Sequence, residues 1–183
     1  LGINVLRNDG PAAMAVAQAV QAAFIRVNVH TGARVADQGI LEGRAHETLR
    51  LREQLDADVN VLADVDVKHS APLATDEYEA EALAENAERG LADGIIVSGR
   101  RTGTPTALGD VRDAVERRDA LGLETPIFVG SGVTRDTVGD LLQVADGVIV
   151  GTALKRDGDV ANPVDVNRVT ELVSAAERAR NNN

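Results

Sequence analysis

Short apolar runs alternate with amphipathic stretches along the whole chain. Runs rich in Val, Ile and Leu are expected to be strands at residues 1–8 (LGINVLRN), 24–30 (FIRVNVH), 59–67 (VNVLADVDV), 94–98 (GIIVS), 126–129 (PIFV) and 147–150 (GVIV). Helical patterns separate them. Gly10-Pro11 opens an alanine-rich helix over 12–23, with proline near its first turn. Charged helices follow at 41–55 and 107–121, the latter closed by Gly122. A long acidic helix is capped by Thr75 or Asp76 and ends at Gly90, read as a C′ glycine. Thr134 begins another, and Pro163-Val164-Asp165 starts a last helix to about residue 178. Residues 31–39 and 68–74 read as polar loops, and 99–105 as a basic loop carrying Arg100-Arg101.

Regular strand–helix alternation predicts a parallel sheet with right-handed crossovers. GIIV and GVIV are apolar throughout, as strands covered on both faces are. Six βα units are too few for a closed eight-stranded barrel. The alternatives are an open doubly wound sheet, or a barrel whose first two units are missing from this chain. A dinucleotide-binding sheet would carry its glycine fingerprint after the first strand, where this chain has Arg7-Asn8-Asp9-Gly10-Pro11. The glycine-rich turns lie near the other end, which favours an α/β architecture of the (β/α)8 TIM barrel type. The expected fold is a phosphate-binding barrel lacking its first two βα units, with residues 1–180 as one domain and 181–183 as a disordered tail.

Those turns are Gly130-Ser131-Gly132 and Gly151-Thr152-Ala153, each directly after an apolar strand. Glycine lets backbone N–H groups approach an anion without a Cβ in the way, and barrels of this kind place phosphate after strands seven and eight. The six residues are the expected phosphate site. Ordinary tight βα turns would explain either one alone.

Period-two polarity marks a second set of candidates. Arg26, Asn28 and His30 alternate with Ile25, Val27 and Val29, and Asp64, Asp66 and Lys68 alternate with Ala63, Val65 and Val67. The apolar sets suit a helix layer outside; the polar sets then face the barrel axis, as Asn4 and Asn8 do on the first strand. Charges there need partners. Arg26 has Asp64 or Asp66, and Lys68 has Asp66 or His30. Either this is a structural network filling the barrel or it is catalytic, with Lys68 as an electrostatic or Schiff-base lysine and Asp64 or Asp66 as an acid or base. His30, Asp64 and Asp66 could hold a hard divalent cation, although no spacing demands one and no metal site or cofactor is assigned. Lys155 is expected to contact an anion, His46 to be a solvated surface residue, and His69 is left open.

Composition narrows the classes. The 183-residue chain is 44% hydrophobic but only 2% aromatic, so its core must be Val, Leu, Ile and Ala. No cysteine is present, which suits a cytoplasmic protein, and no apolar run reaches the length of a membrane span. A net charge of −10, from 29 acidic and 19 basic residues, argues against nucleic acid as a partner. Only Lys68 and Lys155 are lysines. An acidic, lysine-poor surface points to adaptation to high salt, with a GC-rich genome as the plainer cause. An incomplete barrel would expose strand edges, so a homo-oligomer is expected.

The segments LGINVLRND, FIRVNVHTGARVADQGILEGRAHETLRLR, ADVDVKHSAPL, GLADGIIVSGRRTGTPT, GSGVT and ADGVIVGTALKRDG together resemble the BtpA/SgcQ family along nearly all of the chain. The resemblance implies a barrel similar to TIM barrels of phosphate-binding type, usually preceded by two further βα units. One branch is linked to photosystem I biogenesis as a membrane-associated assembly or stability factor. Another sits among sugar-catabolism proteins and carries nucleosidase or sugar-phosphate labels. An acidic member fits a haloarchaeal source, where photosystem I does not exist. The expected function is therefore an enzyme acting on a small phosphorylated, sugar- or nucleoside-like anion by lyase, isomerase or nucleosidase-type chemistry. The alternative is a non-catalytic assembly factor.

Overall fold

The computed structural model describes residues 1–6, 8–65, 70–73, 81–98 and 107–181. Its centre is a six-stranded, all-parallel sheet of β1 (Gly2–Ile3), β2 (Phe24–Val27), β5 (Asn60–Asp64), β7 (Gly94–Val97), β8 (Ile127–Val129) and β9 (Gly147–Val148), neighbouring one another in chain order. A doubly wound sheet reverses direction at a switch point. Here every step moves the same way, so right-handed crossovers put every connecting helix on one face. The sheet curls into a half-barrel, and the open doubly wound alternative is excluded by that order.

Alternation along the strands decides what each face meets. Ile25, Val27, Val61, Ala63, Ile95, Val97, Ile127 and Val129 are buried against the helices. Helix α1 (Gly10–Ala19) packs Ala13, Met14 and Ala17 on β2 and β5. Helix α2 (Ala45–Gln54) lies against α1, with Gly10 seated close to Thr48. Helix α4 (Leu108–Ala120) supplies Val111 on its buried side. The short α5 (Val138–Leu142) joins the long C-terminal α6 (Val166–Asn181) over β8 and β9. The inner face carries Phe24, Arg26, Leu62, Asp64, Ile96 and Phe128. The Phe128 ring lies against both Gly94 and Gly147, where a Cβ would come within 2.8 and 2.7 Å of it.

An internal device recurs at Ala92-Asp93-Gly94 and Ala145-Asp146-Gly147. Asp93 accepts the Val61 N–H (2.8 Å) and an Arg52 N–H (2.8 Å); Asp146 accepts the Ile127 N–H (2.8 Å) and an Arg118 N–H (3.0 Å). Each aspartate thus satisfies a donor at the start of a strand and ties a helix to it, while the alanine before it is buried.

Several expectations are corrected. Residues 31–39 are not loop: β3 (Ala33–Ala36) and β4 (Gly39–Glu42) form a hairpin around Asp37-Gln38, so α2 starts at Ala45 rather than Leu41. Ser70–Pro72, inside the expected 68–74 loop, is β6, which pairs with β3. The acidic helix is seen only from its end, as a three-residue turn α3 (Ala82–Ala84) running into a π-helical turn, Glu85–Arg89. Gly90 has φ −77° and is no left-handed cap. The first strand shortens to Gly2–Ile3, the second stops at Val27, and Asn181 belongs to the last helix rather than to a tail. The Thr75 or Asp76 cap lies outside the described residues.

Candidate functional site

Because all six strands run parallel, their C-terminal ends share one rim. The inner-face positions nearest it are Arg26 and Asn28 from β2 and its exit, Asp64 at the end of β5, Ser98 just past β7, and Gly130 just past β8. Four donors converge on Asp64. One oxygen accepts from Arg26 Nη2 (2.7 Å) and Ser98 Oγ (3.2 Å), the other from Arg26 Nε (2.9 Å) and Asn28 Nδ2 (3.1 Å). The Asp64 side chain is 1% exposed and that of Arg26 22%. Burial pushes the Asp64 carboxyl up from its ordinary value, and the Arg26 guanidinium, Ser98 and Asn28 pull it back. Burial also works against the Arg26 charge, but its bonds to Asp64 prevail and its pKa is raised.

A carboxylate with every lone pair engaged is a poor proton carrier but a good anchor. It leaves two groups unpaired. Arg26 Nη1 makes no hydrogen bond among the described residues, since the fork spends its Nε–Nη2 edge on Asp64. Asn28 Oδ1 is buried without a partner.

The glycine turn meets this cluster. A Cβ on Gly130 would lie 2.5 Å from Ser98 Oγ and 3.1 Å from Arg26 Nη2, besides striking Ile96. Only glycine lets that turn sit against the clamp. Gly132 has φ +72°, which a side chain would strain. After β9, Thr152–Leu154 forms a short 3-10 turn closed by Leu154 N–H to Gly151 O (3.0 Å). The N–H groups of Thr152 and Ala153 precede that first bond, and Gly151 is open on its Cβ side.

The small antiparallel sheet β4-β3-β6 is built from the excursions after β2 and β5 and stands over this rim. Arg34 and Pro72 on its inward face, with Asn28 and Asp64 beneath, line a cavity of about 50 Å³. That is room for a water or two and not for a metabolite. Its other face shows an apolar row: Val35 pairs with Ile40 and Ala71, and Val35, Ile40 and Leu73 are 42%, 62% and 54% exposed.

Of the expected residues, Arg26, Asn28 and Asp64 come together. His30 does not join them. The strand ends at Val27, and the buried His30 ring turns to Gly90, donating from Nε2 to its carbonyl (2.8 Å) and leaving Nδ1 unpaired. Burial lowers its pKa and keeps it neutral. Asn4 and Asn8 are also corrected. Rather than facing the axis, they serve the backbone of β2 and its exit, Asn4 donating to Arg26 O (2.8 Å) and Asn8 bracketing Val29 through both its amide groups. Asp66, Lys68, His69, Arg100 and Arg101 lie outside the described residues. Ser98 was missed; its signal was a lone hydroxyl at the rim end of an otherwise apolar strand. Among the described residues no three His, Asp or Glu are grouped to hold a metal ion.

A sequential parallel half-barrel with a polar clamp and a glycine turn on one rim defines a TIM-barrel-like α/β protein. Two solved structures share that fold, a native KDPGal structure (TM-score 0.58, 15% identity, 99% of this chain and 68% of that one) and the Amycolatopsis orientalis BexX/CysO complex (0.54, 15%, 97% and 66%). The chain belongs to the BtpA family, whose model matches residues 1–178. It is 49% identical over 175 residues to the photosystem I biogenesis protein BtpA of a Synechocystis strain, covering 96% of this chain and 59% of that one. Uncharacterised proteins of Thermococcus kodakarensis and Methanocaldococcus jannaschii are 46% and 41% identical over 180 residues. The chain covers 66% of the length of each, so it spans under two thirds of all three relatives. No helix among the described residues is long and apolar enough to cross a membrane.

Proposed function

We propose that the rim binds a small phosphorylated, hydroxyl-bearing metabolite, and that the complete protein transforms it by lyase, isomerase or nucleosidase-type chemistry. The observation that carries this reading is the junction of the Gly130 turn with the Arg26–Asp64–Ser98 clamp. An anion-accepting turn beside a fixed guanidinium suits phosphate, and the unpaired Asn28 Oδ1 suits a hydroxyl donor from the same ligand. Gly130, whose N–H is spent on the Val97 carbonyl (2.8 Å), would give the turn its close approach, and Ser131 and Gly132, with Gly151, Thr152 and Ala153, would cradle the phosphate. Asp64, with its lone pairs engaged, is assigned to positioning, which leaves Asp66 and Lys68 as the reactive groups of the reading.

The test is thermal shift against a panel of sugar phosphates and nucleotides. A specific stabilisation abolished by Gly132→Asp supports the reading; indifference to every anion in the panel refutes it. A second reading, a non-catalytic assembly factor, draws on the exposed row Val35, Ile40 and Leu73 on the small sheet and on the name of the Synechocystis relative. It expects no ligand shift, and association lost with Ile40→Lys.

A further inference from the structure

We infer that Arg26 is itself a ligand of the anion site, and that Asp64 and Ser98 exist to aim it. This rests on the phosphate reading above and assigns that site its fixed charge. A guanidinium has three edges. Asp64 takes the Nε–Nη2 edge with bonds of 2.9 and 2.7 Å, and Ser98 Oγ stands 3.5 Å from Nη2. The fork is thereby locked in plane, with Nη1 at the vertex opposite the carboxylate and unpaired among the described residues. The Arg26 side chain keeps 22% of its surface open, while its anchor has 1%. A cation that existed only to neutralise Asp64 would have no reason to leave its far donors exposed at the rim.

Gly130 completes the argument. Its missing side chain admits the turn beside Nη2, where a Cβ would stand 3.1 Å away. The Gly130 N–H is spent on the Val97 carbonyl (2.8 Å), so at this point of the turn the charge offered to an anion is that of Arg26. The site then holds a phosphate monoester between backbone donors and one charged fork. Arginine recognises such an oxyanion through directed, charge-assisted bonds, and a flexible lysine would not hold that geometry.

The test uses the full chain and isothermal titration with inorganic phosphate and with a hexose phosphate at low ionic strength. Arg26→Met should weaken both about 10-fold or more, the scale of a charged hydrogen bond. Arg26→Lys should recover only part of the loss. Because Arg26→Met strands a buried carboxylate, the double variant Arg26→Met/Asp64→Leu is measured beside it. It swaps the whole pair for apolar groups and should fold, and it too should bind weakly. Asp64→Asn, which keeps the charge of Arg26 but loosens its anchor, should weaken phosphate less than Arg26→Met does. Wild-type affinity in the double variant, with Gly132→Asp still abolishing binding, overturns the inference and leaves the phosphate reading standing. No binding to the wild type overturns both.

Discussion

At the scale of single residues, two buried polar groups divide the labour differently. Asp64 is satisfied four times over and serves as an anchor. His30 is satisfied once and is a liability in acid. Its Nε2 must carry a proton to serve the Gly90 carbonyl, so the ring is neutral with Nδ1 bare. Burial depresses its pKa below the ordinary 6.5. The unfolded chain therefore binds a proton below about pH 6.5 that the folded chain refuses, and the stability present above that point is lost as pH falls through it. Denaturation midpoints should fall between pH 7 and pH 5 in the wild type. The fall should be smaller in His30→Gln, whose amide can still donate to Gly90. Parallel pH profiles would dismiss His30 as the cause. His46 does not complicate the comparison: its side chain is 63% exposed and common to both proteins. Arg26 and Asp64 were legible because strand periodicity places alternate residues on one face. His30 obeyed the same count and was misread, because past the end of β2 the count holds for Asn28 and then fails, and the His30 ring turns to the Gly90 carbonyl.

At the scale of elements, the glycines separate packing from freedom. Gly90 ends the π-helical turn at an ordinary φ, yet a Cβ there would stand 2.7 Å from Asn86 O and 2.9 Å from both His30 and Thr31. The residue is small because β2's exit and the turn before β7 press together at that point. Gly109, in the first turn of α4, has nothing within 4 Å of its Cβ position. Gly90→Ala should therefore destabilise by about 1–3 kcal/mol as an overpacked contact. Gly109→Ala should stabilise by about 0.5–1 kcal/mol by restricting the unfolded chain. Urea unfolding of the two variants gives the comparison, and equal effects would mean that the close approach at Gly90 is relaxed in solution. The sequence signalled a special glycine at 90 but suggested the wrong cause, since a cap and a tight contact demand the same residue. The hairpin β3–β4 was illegible for a related reason. Its residues alternate weakly, Arg34 and Ala36 taking turns with Ala33 and Val35, and its polarity reads as loop. It is held by pairing to β6, Arg34 with Pro72 and Ala36 with Ser70, a partner too far along the chain for local pattern to reveal.

At the scale of the whole molecule, the sequential parallel order was the most legible feature, because alternation and handedness leave few ways to arrange six βα units. Charge is a property of the same scale. The chain carries −10 on a domain with a radius of gyration of about 16 Å. At 0.01 M salt the Debye length is about 30 Å, so every surface charge feels most of the others; at 1 M it is about 3 Å, and the repulsion is gone. Salt also weakens the surface pairs that hold helices to strands, such as Arg52–Asp93 and Arg118–Asp146. Exposed pairs contribute only about 0–1 kcal/mol each, and the excess of acidic residues is spread over the whole surface. Relief of repulsion should win, so the melting temperature should rise by several degrees between 0.05 and 1 M KCl, a salt with weak specific effects. Neutralising exposed carboxylates, as in Glu124→Gln/Asp140→Asn/Glu177→Gln, should flatten that rise by cutting the charge that causes it. A melting temperature indifferent to KCl would trace the acidic, lysine-poor composition to codon usage and not to a salty interior.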